Sequence, residues 1–336
     1  MRTRIASIVL VLTLLVTALL VWPPRISFAD TRMERVNKAR ALSCHIMGFI
    51  YDLYGLTPQA ADVYEEAVNL DPKSYLTHLR LGSDYARLGR FKEAVDHLVL
   101  IPALNPQDIQ SHYLLALIYS TQKKFDSAAS EYEQILRSIP SDNTKSSEVY
   151  FYLGEIYYSQ HQYDKAVVQF EKILAVEPEN VEMMYFLGSL YVEIDRRDKA
   201  VDLFKKALLI NPEHDGILNS LGYVYAEQGN NLEEAMSLVN RALTIDPDNG
   251  AYLDSLGWVY FKKGNYVEAL KMLMKADAKI KDSAVYEHIG DVQMALKQEV
   301  EAKKYWRMSL ELKPDQKRIL EKINRQEKSQ VVSGSK

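Results

Sequence analysis

The sequence predicts an all-α fold, a solenoid of about eight stacked helical hairpins ended by a C-terminal capping helix. Three observations carry this. Prolines recur at Pro72, Pro106, Pro140, Pro178, Pro212, Pro247 and Pro314, spaced by 34, 34, 38, 34, 35 and 67 residues, the last close to twice the unit. Each unit holds two apolar stripes at helical spacing, such as Tyr150-Leu153-Tyr157 and Ala166-Phe170-Ile173, separated by the polar turn Ser159-Gln160-His161. Seven of the 14 Gly and seven of the 11 Pro fall in fixed columns of the repeat, where packing and punctuation account for them.

Residues 1–29 stand apart from that pattern. Arg2 and Arg4 open an uncharged apolar run of 18 residues, 5–22, which Pro23 and Pro24 close. Ser27-Phe28-Ala29 places small residues where a signal peptidase reads, so this segment is expected to be a secretory signal or an N-terminal membrane anchor. Arg2 and Arg4 favour a cytoplasmic N-terminus, whereas Arg25, Arg32, Arg35, Lys38 and Arg40 beyond the run pull the other way. Export, to the periplasm or to the outer side of the inner membrane, is the expectation; a cytoplasm-facing anchor is the alternative.

Residues 30–40 are a linker or helix extension, and 41–316 divide into units at 41–74, 75–108, 109–142, 147–180, 181–214, 215–249, 250–282 and 283–316. In each, a small residue (Gly48, Gly82, Ala116, Gly154, Gly188, Gly222, Gly257, Gly290) lets the first helix approach the second closely. Tyrosine follows three residues later in every unit but the last, which has Gln293. The second helix offers an alanine column (Ala60 to Ala302) and, four residues on, a large apolar residue such as Tyr64, Phe170 or Trp306, read as filling the gap toward the next unit. The closing proline forces its predecessor out of helical geometry and stops the helix. Residues 317–328 form an amphipathic cap with Ile319, Leu320 and Ile323 on one side, and 329–336 are expected to be a disordered tail.

These columns resemble the tetratricopeptide repeat (TPR) family over residues 41 to about 316, and the stretch 221–270 is similar to units of bacterial envelope TPR proteins. Departures are few: extra residues near 143–146, an inserted Asn at Asn230–Asn231, and Lys281 where the seventh proline belongs. The resemblance implies a right-handed superhelix whose first helices line a concave, protein-binding face.

Chemistry is sparse. With 41 Lys+Arg against 45 Asp+Glu, a net charge of −4 gives no support for nucleic-acid binding. A single Cys excludes an intrachain disulfide or Cys-cluster zinc site. None of the seven His forms a ligand-spaced cluster; His78 and His112 lie in the packed column, and Cys44 with them. No nucleotide-binding glycine pattern or nucleophile elbow occurs, and repeats and end segments consume the chain. No cofactor, no metal and no enzymatic activity are expected.

At 100° per residue, positions off the packed stripe point into the concave face. They hold Phe49, Tyr113, Phe151, Tyr158, Tyr185, Tyr223, Trp258 and Phe261, interleaved with Glu155, Glu193, Asp254 and Asp291 and few bases, mainly Arg87 and Lys262. This aromatic, acidic-rimmed groove suits a protein or peptide with apolar and basic residues. The carboxylate grip of chaperone-binding relatives is disfavoured, because its places hold His45, Leu79, Tyr113, Phe49, Ser83 and Leu117. Alternatively, the aromatics pack between neighbouring first helices; loss of partner capture without unfolding in Trp258→Ala and Tyr185→Ala would favour the groove. The expected role is a non-catalytic scaffold of the bacterial envelope, touching membrane only through its N-terminal segment. The alternative is a membrane-anchored, cytoplasm-facing regulator that recruits a protease or biosynthetic enzyme.

Overall fold

Apolar stripes at helical spacing leave each short helix with a face it cannot bury alone, and the chain answers by pairing helices. The computed structural model describes residues 32–139 and 144–333, and the side chains of Thr144 and 326–333 lie outside that description. Among the described residues every regular element is helical. The signal or anchor assigned to 1–29 lies outside them, and no helix among them is long and apolar enough to cross a membrane. The chain divides into two compact units, Met1–Pro140 and Ser141–Lys336.

The first unit contains α1 (Arg32–Leu53), α2 (Thr57–Leu70), α3 (Tyr75–Arg87), α4 (Phe91–Leu98), α5 (Ile101–Leu104), α6 (Gln110–Thr121) and α7 (Phe125–Ser138). Hairpins α1–α2, α3–α4 and α6–α7 are consecutive, with α2 packed on α3 and α4 on α6. The second helix of the middle hairpin breaks, and the short α5 resumes it with Pro102 in its first turn. Pro102 has no amide to give Leu98 and its ring crowds that carbonyl, so α4 stops there.

The second unit contains α8 (Thr144–Ser159), α9 (Tyr163–Val176), α10 (Val181–Glu193), α11 (Arg197–Ile210), α12 (Asp215–Gln228) and α13 (Leu232–Ile245). It continues with α14 (Gly250–Lys262), α15 (Tyr266–Lys279), α16 (Ser283–Ala295), α17 (Glu299–Leu312) and α18 (Lys317–Ser333). These form five further hairpins, each second helix packing on the next first helix, and α18 lies on α17. Ile319 and Ile323 of α18 bury against Ala302 and Trp306. Helix α18 runs on through 333, past the boundary expected at 328.

The large column has a second seat beside the expected one. Tyr64, Phe170, Phe204 and Trp306 lie against the glycine of their own hairpin, and Phe170 and Trp306 also reach the next unit, Phe170 at 5.0 Å from Phe186 and Trp306 against Ile319 and Ile323. A Cβ on Gly48 would come within 2.6 Å of the Tyr64 ring. The glycine column is therefore a set of sockets for the second helix's largest side chains, which are almost wholly buried.

Turns and caps punctuate the stack. Where a hairpin turns, a residue takes a left-handed conformation: Gly55, Gly89, Lys123, His161, Asp195, Gly229, Gly264 and Lys297, with the inserted Asn231 as a second one in the α12–α13 turn. The seventh unit still closes without its proline, because Asp282 accepts from the Ala284 amide at 2.7 Å and caps α16. Lys281, in the proline's place, donates to the Asp277 carbonyl at 2.8 Å, satisfying an end group of α15.

Candidate functional site

First helices repeat every 34 or so residues, so equivalent side chains on neighbouring first helices come side by side. The sequence-derived surface residues fall on these helices, in two separate sets. Phe49 and Tyr113 belong to the first unit. Phe49 is 41% exposed and lies under the Arg80 guanidinium, 5.5 Å from its ring centre. Tyr113 is half-buried, edge-on to Tyr132 at 6.3 Å.

In the second unit Phe151 and Tyr185 are half-buried and spent on packing. Phe151 lies 6.2 Å from Phe186 of the next first helix, and Tyr185 lies 5.2 Å from His214. Tyr158, in the last turn of α8, donates from its hydroxyl to Glu193 at the end of α10, 2.9 Å away. That bond, then partial burial, raises the Tyr158 hydroxyl above its ordinary value, and the carboxylate of Glu155 adds to the effect. Burial also raises Glu155 itself. Glu155, Tyr158 and Glu193 are thus brought into one electrostatic group.

The other end of the unit is more tightly closed. Trp258 is 3% exposed and Asp254 8% exposed, so neither presents an open surface. Trp258 stacks on Phe261 at 4.7 Å and on His288 at 4.1 Å, and its indole N–H donates to Glu227. His288 Nδ1 sits 2.9 Å from Asp254. Burial alone would lower the His288 pKa, but the charge and hydrogen bond of Asp254, with Glu287 and Asp291 nearby, win and raise it. Tyr223 lies 6.3 Å from His288, and burial raises its hydroxyl pKa. Asp291 accepts from the Trp306 indole at 3.0 Å and from Lys322 of α18 at 2.6 Å, and Lys322 also reaches Glu287 at 2.7 Å. For Trp258 and Asp254 the packing alternative describes their position, because the following first helix supplies a matching side chain.

Among the described residues no group of three or more His, Cys, Asp or Glu is arranged to hold a metal. His78 is buried, bonded to the Pro72 carbonyl and to His97, each at 3.0 Å. Cys44 is free and half-buried, its pKa raised by burial.

A tetratricopeptide repeat family model matches residues 55–118, 157–215 and 195–257, and a second such model matches 109–142, together more than half of the chain. The chain belongs to the tetratricopeptide repeat family. Over 79 residues, 24% of the chain, it is 33% identical to the tetratricopeptide repeat and J domain-containing co-chaperone DNJ1 of Cryptococcus neoformans, of whose length it spans only 15%. Among solved structures it is similar to the APC/C hetero-tetramer Cut9-Hcn1, with TM-score 0.52 and 15% identity over 80% of this chain and 52% of that one. It is also similar to a tetratricopeptide repeat protein of Parabacteroides merdae, with TM-score 0.47 and 15% identity over 85% of this chain and 98% of that one. At such identity the likeness to Cut9-Hcn1 speaks for the fold alone. The family itself is one of protein–protein interaction scaffolds, which is the role assigned to this TPR chain.

Sequence reasoning missed one column of this TPR chain, two residues before the small residue. It holds Arg80, Phe186 and His288, with Lys322 at the corresponding place in α18, and each meets the preceding first helix. The signal was available one step from the column of Asp254 and Glu287. What hid it is that the pairing is made across units and only stacked helices reveal it.

Proposed function

We propose that this TPR chain is a non-catalytic adaptor of the bacterial envelope that holds a partner segment against the first helices of its second unit. The observation that carries this is the character of that face. Tyr158, Tyr223 and Phe261 are partly exposed, and acidic Glu155 and Glu193 stand beside Tyr158. Half-exposed rings in an acidic setting gain by burying apolar surface and by meeting a cation. A partner with apolar and basic residues fits, in an extended or helical form.

The test is site-specific photocrosslinking. A photoreactive residue at Ser189, on the first-helix face, should trap partner, whereas one at Val267, 68% exposed on α15, should not. Equal trapping from both positions would remove the face from the account. The envelope assignment has a separate check: the repeats should resist added protease in intact cells and be cleaved in spheroplasts. Resistance in both would favour the cytoplasm-facing regulator.

A further inference from the structure

We infer that the second unit carries a subsite for a lysine or arginine side chain of the partner, built from Tyr158, Tyr163, Glu155 and Glu193. This deepens the reading just proposed and rests on it.

Four observations converge. The Tyr158 and Tyr163 rings meet at 5.5 Å with planes 64° apart, an angled aromatic pair where α8 turns into α9. Glu193 accepts from Tyr158 at 2.9 Å and its charge also acts on Tyr163, while Glu155 acts on Tyr158 from one turn back. Both carboxylates therefore border Tyr158, and Glu193 borders Tyr163 as well. Helices α8 and α10 end here, and neither has a basic residue in its last turn. The negative ends of the two helix dipoles lie here, and Glu193 at the end of α10 is the wrong sign for that helix. By contrast α3 ends in Arg87 and α14 in Lys262.

The third observation is a missing cation. Most other first-helix acids have one from this chain, Glu148 and Asp215 excepted: Asp52 has Arg87, Glu227 has Lys262, Asp254 has His288, and Glu287 and Asp291 share Lys322. Among the described residues no basic side chain pairs with Glu155 or Glu193. Arg196 in the next turn is held by Asp164, and Lys165 lies over Tyr157 at 5.2 Å. The fourth is an internal precedent. Lys322 enters between Glu287 and Asp291 with its ammonium 5.7 Å from the Trp306 ring centre. Glu155 occupies the same column as Asp291, one residue after the glycine, and lacks such a guest. A partner's ammonium or guanidinium would meet two carboxylates, two helix ends and two ring faces.

The experiment is fluorescence anisotropy on the full chain in nonionic detergent, with labelled short peptides alternating serine with lysine, arginine or glutamate. The lysine and arginine peptides should bind in a salt-sensitive manner and the glutamate peptide should not. Glu155→Gln combined with Glu193→Gln should weaken binding about tenfold or more, and Tyr158→Phe, which keeps the ring, should stay within about threefold. The charge-matched control Glu179→Gln with Glu234→Gln, on exposed positions, should bind like the parent. Helical content and melting temperature of the Glu155/Glu193 variant should be unchanged or higher, since it removes a desolvated charge and a mis-signed helix end. Undiminished binding by that variant, or no binding by the parent, would overturn the subsite while the crosslinking at Ser189 judges the wider face independently. Spermidine binding as tightly as the peptides would overturn its assignment to a protein partner.

Discussion

At the scale of single residues the clearest anomaly is Asp84. Two residues after the small column, the other units carry Ile50, Ile118, Ile156, Leu190, Val224, Val259 and Val292, and only here is the position charged. Asp84 is fully buried, one of its carboxylate oxygens has no hydrogen-bond partner, and the other meets Arg87. Burial first, then the neighbouring charge of Asp52, push its pKa up to about 7, against the pull of Arg87. A carboxyl raised in the fold holds its full share of stability below its ordinary pKa near 4 and loses it as pH rises through about 7. Asp84→Val should therefore raise the melting temperature of the first unit, by several degrees at pH 8 and by less at pH 5. Thermal scans at the two pH values decide it; a gain independent of pH would mean that the buried charge is not what costs stability. The column alone made Asp84 visible in the sequence. Its burial and its missing partner were not, because both depend on what α1 places opposite.

At the scale of elements, the turn shows how geometry outruns composition. Four of the eight hairpin turns place glycine in the left-handed position, where a Cβ is disfavoured, and Lys123, His161, Asp195 and Lys297 take the same conformation. Lys297 is exposed, so little else holds it there. Lys297→Gly should relieve about 0.5–1 kcal/mol of local strain, net of glycine's greater freedom when unfolded. A rise of about 1–3 °C in the melting temperature of the second unit is expected. A fall would mean that the lysine's own interactions outweigh the strain. Helix α4 makes a related point: Pro102 was plain in the sequence, yet the break it causes escapes a reading tuned to the unit-closing prolines.

At the scale of the molecule, the fold is a string of nearest-neighbour contacts inside each of two compact units. Damage should then stay local. Trp258→Ala removes a buried ring that joins α12, α14 and α16, and truncations of that kind cost about 3–5 kcal/mol. Hydrogen exchange followed by mass spectrometry should show faster exchange through 215–312 and unchanged exchange through 57–121. Acceleration throughout would show that the two units melt as one. This expectation departs from a reading in which Trp258 is an open ligand contact whose loss leaves the fold untouched.

The sequence by itself determined the helical class, the hairpin count and the small and large columns, because a 34-residue recurrence repeats the same local demands in every unit. It also identified which residues ride on the first helices. What only tertiary structure decided is which of them remain available. Trp258 and Asp254 meet His288, and Asp291 meets Lys322, whereas Glu155 and Glu193 meet no cation among the described residues. Helical periodicity fixes the direction of a side chain on its own helix, but burial and charge pairing depend on the neighbouring helix, some 34 residues away in the chain.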